Sequence, residues 1–400
     1  MKVTIRVMNK LKLAVLFGGR SPEHEVSIIS ALQVLNALDQ SKYDLLPVYI
    51  SKDGKWILGD ETFLKPETFR DLKKITSRNT RMVLSPETED GGLVEINHRL
   101  ILLRRLKKEK VDLFIPVFHG RFGEDGSIQG LFELAGAAYA GCGLLSSAIG
   151  IDKIASKLIA KSLNIPTSKG ILVTEIDWRK QKSRLTEKLS DNLNFPLYVK
   201  PARLGSTIGV SRVESKKGLT EALEVAFFYD TRVLVEEGLK NAREINISLM
   251  GNNPYRFSVC EEPVTGKELL SFEDKYLSGS ESNKGMAGAK RKIPALIKKT
   301  TERKIKDYAK EFFTHIDGKG IARLDFLISK DEKTILFNEI NTMPGSLAFY
   351  LWAESGINFS RMLDQLIKLA LENKQEKDKL TTVFKSNILA NFKGIKGGKL

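Results

Sequence analysis

Leu336–Trp352 reads LFNEINTMPGSLAFYLW. Its first half is a short apolar run that carries an acid and an amide, Glu339 and Asn341, two positions apart. Side chains alternate across a strand, so these two share one face. Pro344-Gly345 then turns the chain, and a second apolar run follows. Oxygen-bearing side chains in an apolar strand cost free energy unless something pairs with them. The partners of Glu339 and Asn341 must come from elsewhere in the chain.

Just upstream, ARLDFLIS (Ala322–Ser329) alternates in the same way. Arg323 and Asp325 fall on one face, Leu324 and Phe326 on the other. If the two strands are neighbours, an arginine, two carboxylates and an amide converge. Hard oxygen ligands of this kind suit Mg²⁺ bridged to phosphate. A buried ion pair is the competing reading. Further upstream, YVKPARLGSTIGV (Tyr198–Val210) places Lys200 at a strand end before the small-residue loop Gly205-Ser206-Thr207. Backbone amides in such a loop approach phosphate oxygens closely, and an ordinary hairpin also fits. VLVEEGLKNAREINI (Val233–Ile247) sets Glu236 and Glu244 around a Gly-Leu break. These acids suit hydrogen bonds to a base and a ribose, or a solvated turn. No GxxxxGK[ST] loop occurs, and no GxGxxG follows the first strand.

Four hundred residues call for two or three domains. The chain is 42% hydrophobic and 28% charged, as in ordinary globular proteins. Cys142 and Cys260 make neither a disulfide framework nor a CxxC pair, which points to a reducing cytoplasmic compartment. The net charge of +15 fits nucleic-acid binding or a lysine-rich surface around an anionic-substrate site. Its densest stretch, KRKIPALIKKTTERKIK (Lys290–Lys306), has no zinc-finger or RNA-recognition signature beside it, so no nucleic-acid partner is expected. The basic-then-apolar start lacks a cleavage site and runs into Gly18-Gly19, as a strand entering a loop does. Either Met1 or Met8 leaves that strand intact. LFELAGAAYAGCGLLSSAIGI (Leu131–Ile151) is apolar, but its glycines and serines argue against a membrane helix.

Strand-like and helical segments alternate at the start. Leu11–Phe17, Leu45–Ile50 and Val111–Phe118 read as buried strands of a parallel sheet, with a helix after the first. The polar stretch 59–98 reads as an irregular insertion. Residues 374–399 hold seven lysines against two acids and read as a loose tail.

Eight pieces fall in order: LFGGRSPEHEVS, FHGRFGEDGSIQG, GIDKIASK, VKPARLGSTIGV, VLVEE, FEDKYLSG, ARLDFLI and FNEINTMPG. Together they resemble the D-alanine–D-alanine ligase family from about Leu11 to Leu371. The resemblance implies an α/β (α+β) ATP-grasp fold. Its expected parts are an N-terminal parallel α/β substrate domain at 1–141, a central ATP-grasp subdomain at 142–235, a C-terminal catalytic subdomain at 236–373 and a basic tail at 374–400. It implies ATP and two Mg²⁺ ions, with Mn²⁺ as an alternative metal.

Carried over residue by residue, Lys153 and Lys200 match the phosphate-binding lysines. Glu236 matches the partner of the adenine amino group, and Glu244 the ribose partner. Asp325, Glu339 and Asn341 match the metal ligands. Arg323 and the Gly345 amide match the groups at the reacting carbonyl. Glu25, Ser206 and Tyr276 match a hydrogen-bonded trio that closes a lid, and Glu25 also matches the receiver of the first substrate's ammonium. His119 and Lys275 match substrate-binding positions. The implied reaction joins two D-alanines through an acyl phosphate, for peptidoglycan precursors in the cytoplasm, and members of the family are commonly homodimers. One position departs from the pattern. Many members carry a serine for the second substrate's carboxylate where this chain has Tyr350, which raises D-serine or D-lactate as the second substrate.

Overall fold

The computed structural model describes residues 10–78, 80–87, 91–96, 107–264, 291–384, 386, 387 and 389. Three sheets organise them. In the first, Leu11–Gly18 lies between Tyr43–Ile50 and Leu113–Val117, parallel to both. Leu13 through Phe17 are fully buried, as a parallel strand covered on both faces requires. The sheet then grows by four antiparallel strands, Trp56–Leu58, Thr80–Leu84, Gly92–Glu95 and Lys108–Lys110. The stretch read as an irregular insertion therefore extends the sheet. Its strands are too short for their alternation to stand out among polar residues.

The second sheet is antiparallel, in the order Ser211–Val213, Leu197–Pro201, Arg232–Glu237, Gly170–Thr174. Helices Glu175–Asn192 and Lys216–Tyr229 pack Trp178, Leu189, Leu219 and Leu223 into its core. The third sheet is also antiparallel, in the order Arg291–Lys292, Tyr255–Pro263, Arg243–Gly251, Ile321–Ile328, Ile335–Asn341. Helix Lys299–His315 covers one face through Ile305, Ala309, Phe312 and Phe313, against Ile245, Ile247, Leu324 and Phe337. The opposite face keeps its polar residues, Asn246, Ser248, Arg323 and Asp325.

Helix Phe359–Asp378 closes the molecule on the first sheet, where Asp364 accepts from the Tyr43 hydroxyl at 2.8 Å and pairs with Lys42. The helix runs past Asn373, so the first residues read as tail belong to it. Among the described residues, no helix is long and apolar enough to cross a membrane.

Candidate active site

Cross-strand pairing supplies what alternation alone could not. Glu261, Asn246, Asp325 and Glu339 are register partners in succession across four strands of the third sheet. Ser248, Arg323 and Asn341 form the neighbouring row. The register shifts after Asp325, so that Phe326 pairs with Phe337 and Asn338 is left over as a bulge. This bulge resolves a conflict in the sequence. Phe337 and Glu339 would share a face in an unbroken strand, yet Phe337 is fully buried in the core and Glu339 is not.

Arg323 donates from Nε and Nη2 to both oxygens of Asp325, each at 2.7 Å, and Asn341 adds a bond from Nδ2 at 3.1 Å. Burial pushes the Asp325 carboxyl up to about 7; Arg323 opposes this and the nearby Glu244 and Glu339 add to it. A buried acid still short of positive charge, beside a second acid and an amide, fits a divalent cation. No cluster of three or more His, Cys, Asp or Glu side chains suited to a metal occurs among the described residues.

The second sheet and the helix Lys153–Ser162 each deliver a lysine to this edge. Asp152 caps helix Lys153–Ser162 by accepting from the Ile154 and Ala155 amides. Lys153 at its start reaches Glu339 at 3.3 Å and the Leu204 carbonyl at 2.7 Å. Lys200 donates to Asn338 Oδ1 at 3.3 Å and lies 2.5 Å from Glu236. Glu236 has a further ion-pair partner at 2.6 Å, Lys157. Burial opposes ionisation there, but Lys157 and Lys200 outweigh it and hold the Glu236 carboxyl at about 2.

At the first domain the structure corrects one assignment. Ser206 donates its hydroxyl to Glu23, not to Glu25. Glu25 points outward, 61% exposed, and pairs with Lys52 at 2.6 Å. The helix starts at His24, and its first turn sends one acid inward and the other to solvent. Ser206 and Thr207 take φ of +53° and +62°, a left-handed bend that carries the loop to Glu23. His119 is buried and shares a hydrogen bond with Ser30 at 2.9 Å. Ser30 also accepts from the Ser346 amide at 3.2 Å, which ties the His119 loop to the chain after Gly345. Ser346, Leu347 and Ala348 all have φ of +52°. Three successive left-handed residues persist only where their surroundings fix them.

Tyr350 is drawn inward as well. Its hydroxyl donates to Glu261 at 3.0 Å, and the Arg291 guanidinium sits 4.0 Å over its ring. Glu261 also takes Arg291 at 3.0 Å and the Asn246 amide at 3.3 Å. The phenol's one proton is thus spent on Glu261, where a substrate-binding role had been expected. Lys275 and Tyr276 fall outside the described residues. Sequence reading missed Glu23, Lys157 and Glu261. Helical spacing from Lys153 could have indicated Lys157; nothing local distinguished Glu23 from Glu25.

A helix-borne lysine and a lysine of the second sheet that converge on Asn338-Glu339 of the third sheet, beside Arg323 and Asp325, mark an ATP-grasp enzyme. Family models for the D-ala D-ala ligase N-terminus and C-terminus match residues 12–142 and 159–368. The chain belongs to the D-alanine–D-alanine ligase family. It is 39% identical to the D-alanine–D-alanine ligase of Thermosipho melanesiensis over 95% of this chain and 98% of that one. It is 35% identical to that of Geobacillus kaustophilus over 94% and 99%. Among solved structures, the VanG D-Ala:D-Ser ligase of Enterococcus faecalis superposes with a TM-score of 0.76 at 32% identity, covering 90% of this chain and 100% of that one. The D-alanine–D-alanine ligase of Coxiella burnetii gives 0.77 at 28% identity, covering 93% and 97%.

Proposed function

We propose that the protein joins two D-alanines at the expense of ATP, through an acyl phosphate, to form D-alanyl-D-alanine for peptidoglycan precursors in the cytoplasm. The observation that carries this reading is the meeting of Lys153 and Lys200 with the bulged pair Asn338-Glu339, beside Arg323 and Asp325. A carboxylate does not react with an amine at neutral pH, because its leaving group is poor. Phosphoryl transfer from ATP makes it reactive, and Lys153 and Lys200 gather the phosphate charge. Asp325, Glu339 and Asn341 would hold two Mg²⁺, or Mn²⁺, which when bound neutralises the transferring group. Arg323 and the Gly345 amide stabilise the oxyanion that forms as the second amine attacks and phosphate leaves.

Glu23, held by Ser206, receives the first substrate's ammonium, and His119 sets the same end of the site. Glu236 and Glu244 take the base and ribose. Lys275 is assigned to substrate binding and Tyr276 to catalysis. We assign the domain limits 1–141, 142–235 and 236–373 to this scheme, with strand Arg232–Glu237 running two residues past the second limit and the last helix continuing beyond the third. We also assign a homodimer; the exposed Leu134 at the end of the first domain and Leu144 and Leu145 just beyond it support this.

The test is phosphate release on mixing the protein with ATP, Mg²⁺ and D-alanine, with the dipeptide identified by mass. No release with any D-amino acid would remove the ligase reading. The likeness to a D-Ala:D-Ser ligase supports a second reading, in which D-serine, or by extension D-lactate, is the acceptor. Parallel assays with each acceptor decide between them.

A further inference from the structure

Helix Lys153–Ser162 carries a second lysine that the proposed reaction leaves without a task. Lys157 lies one turn after Lys153 on the same face. It is 5% exposed. Its ammonium lies 2.6 Å from Glu236 Oε2, while Lys200 lies 2.5 Å from Oε1. The Lys157 contact is one of charge without hydrogen-bond alignment. Two buried ammonium groups thus share one carboxylate. An arrangement optimised for stability alone would avoid this, because each buried charge needs its own compensation.

We propose that Lys157 is a positioning residue of the nucleotide site: it is the resident counter-ion of Glu236, and it lets Lys200 leave that acid for the phosphates. The proposal rests on the nucleotide-site reading of Glu236 and Lys200 given above. With Lys157 absent, Glu236 would be a lone buried carboxylate with Lys200 as its only cation. Phosphate oxygens would then have to compete for Lys200 against a desolvated ion pair. With Lys157 present, Glu236 stays ionised and in place after Lys200 departs. An ionised acid accepts hydrogen bonds and donates none, so it favours the amino group of adenine over a carbonyl at that position.

The experiment is calorimetric titration of the full-length protein with ADP and MgCl₂, alongside steady-state kinetics. Lys157→Met is expected to weaken ADP binding about tenfold or more, about 1.4 kcal/mol. The ATP KM should rise by a larger factor than kcat falls, and the D-alanine KM should change little. Lys157→Arg, which keeps the charge, should recover most of the loss. In a Glu236→Gln background, Lys157→Met should cause no further weakening, because its effect passes through that carboxylate. Equal losses in both backgrounds, or unchanged ADP binding in Lys157→Met, would overturn the proposal. Should Lys157→Met not fold, Lys157→Gln provides the same comparison. A wild-type protein that binds ADP without ligating D-alanine removes only the substrate reading; one that binds no ADP removes this proposal with it.

Discussion

Glu23 and Glu25 show how much one residue's phase matters. Both are acids in SPEHEVS, two positions apart, yet Glu23 meets Ser206 and Glu25 pairs with Lys52 at the surface. We expect Glu23→Gln to lower kcat/KM for D-alanine on the order of a hundredfold by loosening the first substrate. Glu25→Gln should leave kcat/KM near wild type, and the reverse ranking would restore the original assignment. Glu339→Gln should cut turnover by at least about a hundredfold without lowering the melting temperature. Near-native turnover in that variant would take Glu339 out of the metal set. Tyr350→Phe removes one of the donors to a buried carboxylate, a cost of about 1–3 kcal/mol. The expected result is a lower melting temperature with little change in acceptor KM; a large KM rise for D-alanine alone would put the phenol on the substrate. The sharing of faces by Arg323 with Asp325 and by Glu339 with Asn341 was legible from alternation. The phase of the Glu23 turn was not, because helix starts depend on capping geometry that two similar acids satisfy equally well.

At the scale of elements, register and close approach carry the site. The strand pattern in LFNEINT was readable, but the bulge at Asn338 was not, since it exists only relative to the partner strand. Gly320, at φ +71°, enters strand Ile321–Ile328 where a side chain could not fit: a Cβ there would lie 2.7 Å from the Gly141 Cα. Gly320→Ala is therefore expected to destabilise the protein by about 1–3 kcal/mol, seen as a lower urea midpoint. The last helix extends to Asp378, with Lys377 paired to Glu133 and 5.4 Å over the Tyr139 ring. A chain ended at Asn373 should melt earlier than one ended at Lys379, with the longer truncate keeping ligation. Equal melting curves would show that this final turn contributes nothing. The end of that helix was hard to read because its last turns are lysine-rich and carry little apolar periodicity.

In the molecule as a whole, the core beneath the first sheet is not built from the first domain alone. Its cluster joins Leu13, Phe17, Val34 and Phe114 to Met343, Trp352, Met362, Leu366 and Ile367. The Phe118 amide lies 2.9 Å from the Met343 sulfur in the same junction. A fragment covering residues 1–142 should consequently lack cooperative unfolding and bind hydrophobic dyes, despite the strong strand signals in its sequence. Cooperative melting of that fragment would show the core to be self-sufficient. The order of manufacture follows from the same junction. During translation, the first sheet leaves the ribosome long before Trp352 and Ile367 exist to cover it. That sheet must wait, partly naked, until the segment from Met343 to Ile367 has emerged. The nascent protein thus carries an uncovered apolar sheet, a surface a chaperone would hold, from the emergence of Val117 until that of Ile367.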